Sequence, residues 1–281
     1  ITSDRSFESY DQALAHVTAP KPPNEANVVW NQVFFDVLLE YPIQSALSAF
    51  SFHPGWRHLA ANVTTVLRYV TPKGDVRAFQ FHGDPGLVPL DPNWLQAAWH
   101  FLESGFSHIL GGIDHLLFLL CLVIPFRRLR ALILIVTAFT LAHSITLFAS
   151  AFDLAPDALW FPPLIETLIA ASIVYMALEN ITGTSNTHRR WMIAFGFGLV
   201  HGFGFSFALR ETLQFAGSHL VTSLLCFNLG VELGQLLVLV VLIPLLNLVF
   251  TRVVAERMGA IIMSAFVAHT GWHWMLERGS Q

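Results

Sequence analysis

The sequence predicts an all-α polytopic membrane bundle of six transmembrane helices, preceded by a small, mostly-β extracytoplasmic domain. Three observations carry that prediction. The composition is 54% hydrophobic and only 12% charged over 281 residues, with a mean hydropathy of +0.57, well outside the range of soluble domains. Five apolar stretches of membrane length follow one another from Phe101 to Phe250, and a sixth lies near the C-terminus. Nearly every stretch also carries an ionisable or amide group, which is costly in hydrocarbon and therefore faces a bundle interior or a water-filled path.

The expected spans are 104–124, 129–150, 163–182, 191–210, 220–248 and 258–276, each close to the ~20 residues that cross a bilayer core. Arginines set their orientation. Arg127, Arg128 and Arg130 follow the first span, Arg189 and Arg190 the third, and Arg252 and Arg257 the fifth, whereas the opposite loops, 153–163 and 210–219, hold only Arg210. The basic side is cytoplasmic, so both termini are expected on the periplasmic side of a bacterial inner membrane. Residues 1–92 then form the extracytoplasmic domain. Ile1 at the start, with no charged-then-apolar leader, points to a processed or trimmed N-terminus. Segments 59–69 and 75–81 flank the turn Pro72-Lys73-Gly74 and read as a hairpin, with 27–41 a further strand candidate. Residues 93–103, with Trp94 and Trp99, read as an interfacial linker because tryptophan favours the headgroup level; 104–281 is the transmembrane domain.

Several classes fall away at once. The 15 Lys+Arg residues cluster in short loops between apolar runs, so nucleic acid is not an expected partner. Cys121 and Cys226 lie inside apolar runs and read as small packing residues, not as a disulfide framework.

The polar residues inside the spans carry the chemistry. His108, Asp114 and His115 share the first span with Gly111 and Gly112 between them. In an unbroken helix the two histidines return to one face but stand about 10 Å apart along the axis, too far for one ion. Either the paired glycines break the helix, or the histidines mark successive stations along a path. His143 lies among Thr140, Ser144 and Thr146. His201 sits in a glycine-rich run where Gly198 and Gly202 let a neighbouring helix approach. Asn228, Glu232 and Gln235 fall at i, i+4 and i+7, one polar stripe beside Gly230 and Gly234. Glu166 stands at the outer end of the third span, and Glu179 and Asn180 read as interfacial. His269 and His273, at i and i+4, read equally as a first docking point for an ion or as interfacial histidines. Imidazole with carboxylate suits a borderline divalent ion such as nickel, cobalt, zinc or copper. The expected metal set is His108, Asp114, His115, His143, His201, Glu166, Asn228 and Glu232, with no catalytic residue.

Five ordered motifs carry a resemblance. They are Gly105-Phe106-Ser107-His108 through Asp114-His115-Leu116-Leu117-Phe118; Phe139-Thr140-Leu141-Ala142-His143-Ser144-Ile145-Thr146-Leu147; Glu166 with Ile169-Ala170-Ala171-Ser172; Phe197-Gly198-Leu199-Val200-His201-Gly202-Phe203-Gly204-Phe205; and Phe227-Asn228-Leu229-Gly230-Val231-Glu232-Leu233-Gly234-Gln235. Together they resemble the HupE/UreJ membrane proteins over residues 105–240. The resemblance implies a metal permease associated with nickel or cobalt uptake, with His108, Asp114, His115, His143 and His201 at motif positions. The long N-terminal region departs from simpler members, and it could carry a protein partner.

The expected function is binding and transport of a divalent transition metal by a His/Asp/Glu/Asn core. Two rival readings are an accessory subunit of a larger membrane complex, docked through residues 1–92, and a membrane-embedded metal hydrolase in which Glu232 or Asp114 is the base. No His-Glu-x-x-His signature or serine elbow supports the hydrolase. The arginine pattern makes the topology testable. A cysteine placed at Ser185 is expected to label only after permeabilisation and one at Ser218 from outside; the reverse result rejects the orientation.

Overall fold

The computed structural model describes residues 10–20, 39–45, 48–55, 63–71, 76–90, 92–156, 158–183, 187–205, 216 and 219–279. The chain divides into two compact units, residues 1–48 and 49–281. The first contains helix α1 (Tyr10–Val17). Of the strand expected over 27–41, residues 27–38 lie outside the described part, and 39–41 are not in a strand.

The second unit begins with two short antiparallel pairs. Strands β1 (Ser51–Phe52) and β4 (Val88–Pro89) pair with Phe52 opposite Val88. Strands β2 (Thr64–Val70) and β3 (Val76–His82) form the expected hairpin, with Leu67 opposite Phe79; its turn, 72–74, lies outside the described residues. Alternation in β2 turns Leu67 and Tyr69 inward onto Phe79, Phe81, Val88 and Leu90, as the period of 2 in a half-buried strand requires.

The helices follow. Helix α2 (Trp94–Gly111) opens on a capping box in which the Asn93 side chain accepts from the Gln96 amide and Gln96 accepts from the Asn93 amide. Residues 94–103, read from the sequence as a linker, are thus the first turns of a helix. Trp94 and Trp99 remain exposed while Ala97, Ala98 and Phe101 are buried, so the same amphipathic period that hid inside an apparent linker is what folds it. Gly112 then breaks the chain in an extended conformation (φ −82°, ψ 99°), and α3 (Ile113–Val123) leaves at 69° to α2. Helices α4 (Leu129–Ala151), α5 (Phe161–Thr182), α6 (Thr187–Gly204), α7 (Leu220–Arg252) and α8 (Glu256–Gly279) complete the bundle. Gly183 ends α5 with a left-handed φ of 72°, a conformation that favours glycine.

Among the described residues, α4, α5 and α7 are long and apolar enough to cross a membrane, and the bent α2–α3 pair makes a fourth if it counts as one span. The spans expected at 191–210 and 258–276 fall on α6, as far as Gly204, and on α8; residues 206–210 lie outside the described part. Both are helical, but Arg189, Arg190 and His201 in α6, and Glu256, Arg257, His269, His273, Glu277 and Arg278 in α8, keep them more polar. The outer face of α7 presents Leu225, Leu229, Leu233, Leu237 and Val241 to the surroundings. An exposed apolar stripe of that length suits contact with lipid.

Helices associate mainly as pairs, α2 with α7, α4 with α6 and α5 with α8, and glycines explain two of the three. A Cβ at Gly105 would overlap the Phe227 carbonyl, and one at Gly230 the Leu102 carbonyl, so α2 and α7 touch backbone to backbone. On α6, Gly198 meets the Phe139 carbonyl of α4 and Gly202 meets Thr146 and the His143 carbonyl.

At one end of the bundle the three arginine-bearing turns meet. Arg127 pairs with Glu256, and Arg257 donates to the carbonyls of Asn180 (3.2 Å) and Ile181 (2.6 Å). Arg190 is wholly buried; it faces Glu179 at 3.1 Å, donates to the Cys121 carbonyl at 3.2 Å and bonds Asn180. Glu179 and Asn180 are therefore not interfacial: they are buried because they compensate a buried guanidinium. Substituting Gly230→Val should overpack the α2–α7 contact, costing about 1–3 kcal/mol or more. Gly196→Ala, with open space around the added Cβ, should be neutral or stabilising by about 0.5–1 kcal/mol. Thermal challenge followed by gel filtration in detergent would measure both.

Candidate metal centre

The break at Gly112 is what assembles the site. It folds α3 back so that the rings of His108 and His115 lie 4.7 Å apart between centroids, which decides for helix breakage over stations on a straight helix. A Cβ at Gly112 would stand 2.8 Å from His115 Nδ1 and 3.1 Å from Asp114 Oδ1. The bend leaves no room for a side chain there.

His143 arrives from the middle of α4, its ring 6.4 Å from His108 and 6.5 Å from His115. His201, in the last turn of α6, lies 5.3 Å from His115. Four imidazoles from α2, α3, α4 and α6 thus converge. One ring nitrogen each from His108, His115 and His143 form a set whose members all lie within 4.8 Å of one another. Metal–nitrogen bonds are about 2 Å long, which holds two donors to one ion within about 4 Å, so capture requires a small closing rotation of the rings. His115 is 5% exposed, His143 0% and His201 1%. Phe118, Phe139, Phe205 and Phe227 surround the cluster; Phe205 lies 4.5 Å from His108 and stacks on Phe227 at 4.6 Å.

Hydrogen bonds fix which nitrogens face the centre. Asp114 Oδ1 accepts from the His115 backbone amide at 2.9 Å and stands 3.1 Å from its Nδ1. An ionised carboxylate only accepts, so Nδ1 carries the proton and His115 Nε2 offers a lone pair. This is the carboxylate–imidazole arrangement that orients metal-ligating histidines. Asp114 also sits in the first turn of α3, where a negative charge complements the helix dipole. The Ser172 hydroxyl donates to the Ile169 carbonyl at 2.6 Å and lies 3.0 Å from His201 Nε2. Its one proton being used, it accepts from Nε2–H, leaving Nδ1 of His201 bare.

Among the described residues, buried nitrogens at the centre have no hydrogen-bond partner: His108 Nε2, His115 Nε2, both nitrogens of His143, and His201 Nδ1. The Asn228 amide lies beside His143 but donates to the Leu224 carbonyl at 2.9 Å, and its Oδ1 is likewise buried and unpartnered. Orphaned buried polar atoms are rare. Four neutral imidazoles, each able to offer one lone pair, fit a cation.

Of the residues expected in the metal set, His108, His115, His143 and His201 converge with Asp114 behind them, and Asn228 borders them. Glu232 is not among the clustered nitrogens; Thr137 donates to its Oε1 at 2.6 Å. Glu166 stands apart, at the start of α5 beside Arg278 at 3.6 Å, because it lies about 100° around the helix from its buried neighbour Ile165. Ser172 was not named in that set. Its signal was present, as a hydroxyl in an apolar span, but only the fold shows which histidine it meets.

A polytopic helical protein with a buried histidine cluster is the class that this fold and this geometry define. A family model described as HupE / UreJ protein matches residues 87–278, and the chain belongs to that family. No curated protein and no solved structure matches the chain. The matched stretch contains the whole cluster. Replacing Asp114→Ala frees His115 to rotate and change tautomer, so a divalent transition ion offered to the cluster is expected to bind about 10–100-fold more weakly than to the parent with helix content unchanged; chelator competition and circular dichroism would check the two parts.

Proposed function

We propose that this protein binds a divalent transition metal of the nickel or cobalt class at His108, His115 and His143 and transports it across the inner membrane. The observation that supports it best is the convergence, from separate helices, of imidazole nitrogens that are buried, oriented and unpartnered. Neutral imidazole suits nickel, cobalt, zinc and copper alike, so the cluster supports an ion of that class, and membership of the HupE/UreJ family favours nickel or cobalt within it. Asp114 orients His115, and His201 is held by Ser172 as a fourth donor that can exchange with the others. The ion is cargo, so the phenylalanines around the cluster serve to exclude competing water while the rings bind and release it.

The topology belongs to the same proposal. Six crossings with both termini outside agree with the meeting of the arginine-bearing turns at one end of the bundle, which becomes the cytoplasmic end. Residues 1–92 are then extracytoplasmic.

Purified protein loaded with Ni2+ and passed through gel filtration should retain the ion, and His115→Ala should lose it. Retention should also fall in strong acid, because protons compete for the same lone pairs. Elemental analysis of the eluted protein reads both effects. Retention that is absent from the parent, or indifferent to His115→Ala, rejects the metal site and leaves a hydrogen-bonded scaffold.

A further inference from the structure

A second group of polar side chains lies between α4 and α7, separate from the imidazoles. Thr137 Oγ1 donates to Glu232 Oε1 at 2.6 Å, and Thr140 Oγ1 donates toward Gln235 Oε1 at 2.9 Å. Gln235 is 2% exposed and Thr140 7%. Two hydrogen bonds across a helix pair are a sufficient clasp, and had the group ended there it would need no other explanation. It does not end there. Among the described residues the second carboxylate oxygen, Glu232 Oε2, is buried without a partner, and no ion pair involves Glu232. A buried carboxylate oxygen left unpaired is costly, and a cation is the partner its charge favours.

The geometry points to a second cation station at Glu232, built only of oxygen donors from Glu232, Thr137, Thr140 and Gln235, through which the divalent ion passes on its way from the histidine cluster. This inference rests on the metal-transport reading of the cluster. Spacing makes the step short. Glu232 is one turn along α7 from Asn228, about 6 Å, and Thr137 is six residues along α4 from His143, about 9 Å. Asn228 Oδ1, buried and unpartnered, stands between the two groups on the same stripe of α7. The donor types also differ in the useful direction. Imidazole holds a borderline transition ion more firmly than carboxylate, hydroxyl and amide oxygens do. Conduction requires several sites weak enough to release. The imidazoles would select the ion and the oxygen station would let it go.

The test separates station from clasp. In Glu232→Gln the amide oxygen still accepts from Thr137, so the clasp survives while the charge is lost. Protein reconstituted in lipid vesicles, with equal Ni2+ on both sides, is assayed for exchange of labelled Ni2+, which needs no energy source; Ni2+ retention after gel filtration is measured in parallel. Glu232→Gln should keep Ni2+ retention and lose exchange by about tenfold or more, and Glu232→Asp, which keeps the charge, should recover part of it. Exchange equal to the parent's in Glu232→Gln overturns the station while leaving the histidine site standing. Loss of retention together with exchange in a folded variant also overturns it, because Glu232 would then belong to the first site. Where Glu232→Gln fails to fold, Thr137→Ala is read by the same two measurements. A parent that retains no Ni2+ overturns the metal-transport reading, and the station with it.

Discussion

An unbroken helix would hold His108 and His115 about 10 Å apart along its axis, and the extended backbone of Gly112 removes that separation. The break also starts a new helix inside the bundle. The first turn of α3 brings its N-terminal dipole, and Asp114 with it, to the place where the histidines gather. Non-helical backbone is tolerated at membrane depth only where protein surrounds it, and here it is covered by α4, α6 and α7 through His143, His201 and Phe227. The convergence of four imidazoles depends on this one residue having no side chain.

Two kinds of contact hold the frame around the break. Glycines at 105, 230, 198 and 202 bring backbones together in the middle of the bundle, where dispersion and close fit do the work that water exclusion does in soluble proteins. At the arginine-rich end, charge takes over. Arg190, Glu179, Asn180 and the Cys121 carbonyl form a buried network joining the ends of α3 and α5 to the start of α6. Buried ion pairs are weak sources of net stability but strong penalties when half broken, so this network fixes which ends may meet more than how tightly they hold.

Much of this was legible in the sequence. The apolar runs, the hairpin and the histidine, glycine and amide spacing all led to elements that exist, and the question whether Gly111 and Gly112 interrupt the first span was posed correctly by spacing alone. What was not legible depended on partners far along the chain. Glu179 and Asn180 look like end-of-helix polar residues until Arg190 folds in between them. Glu166 and Glu232 look alike as single carboxylates in apolar runs, yet one meets Arg278 at the edge and the other meets Thr137 between two helices. The first turns of α2 were hidden because Pro92 and two tryptophans resemble a linker when the capping box is not recognised.

The pairing of helices divides the cluster among separate bodies. His108 is carried by α2, which is locked to α7; His143 and His201 are carried by α4 and α6, locked to each other; His115 rides on α3, which is packed chiefly on α5. An ion bound by three of these rings, as proposed, would therefore be a rivet through three plates. Its arrival would stiffen the joints between them, and sliding any one pair by a fraction of a helical turn would pull a single ligand out of reach without unfolding anything. In such a frame ion affinity and helix position are one variable.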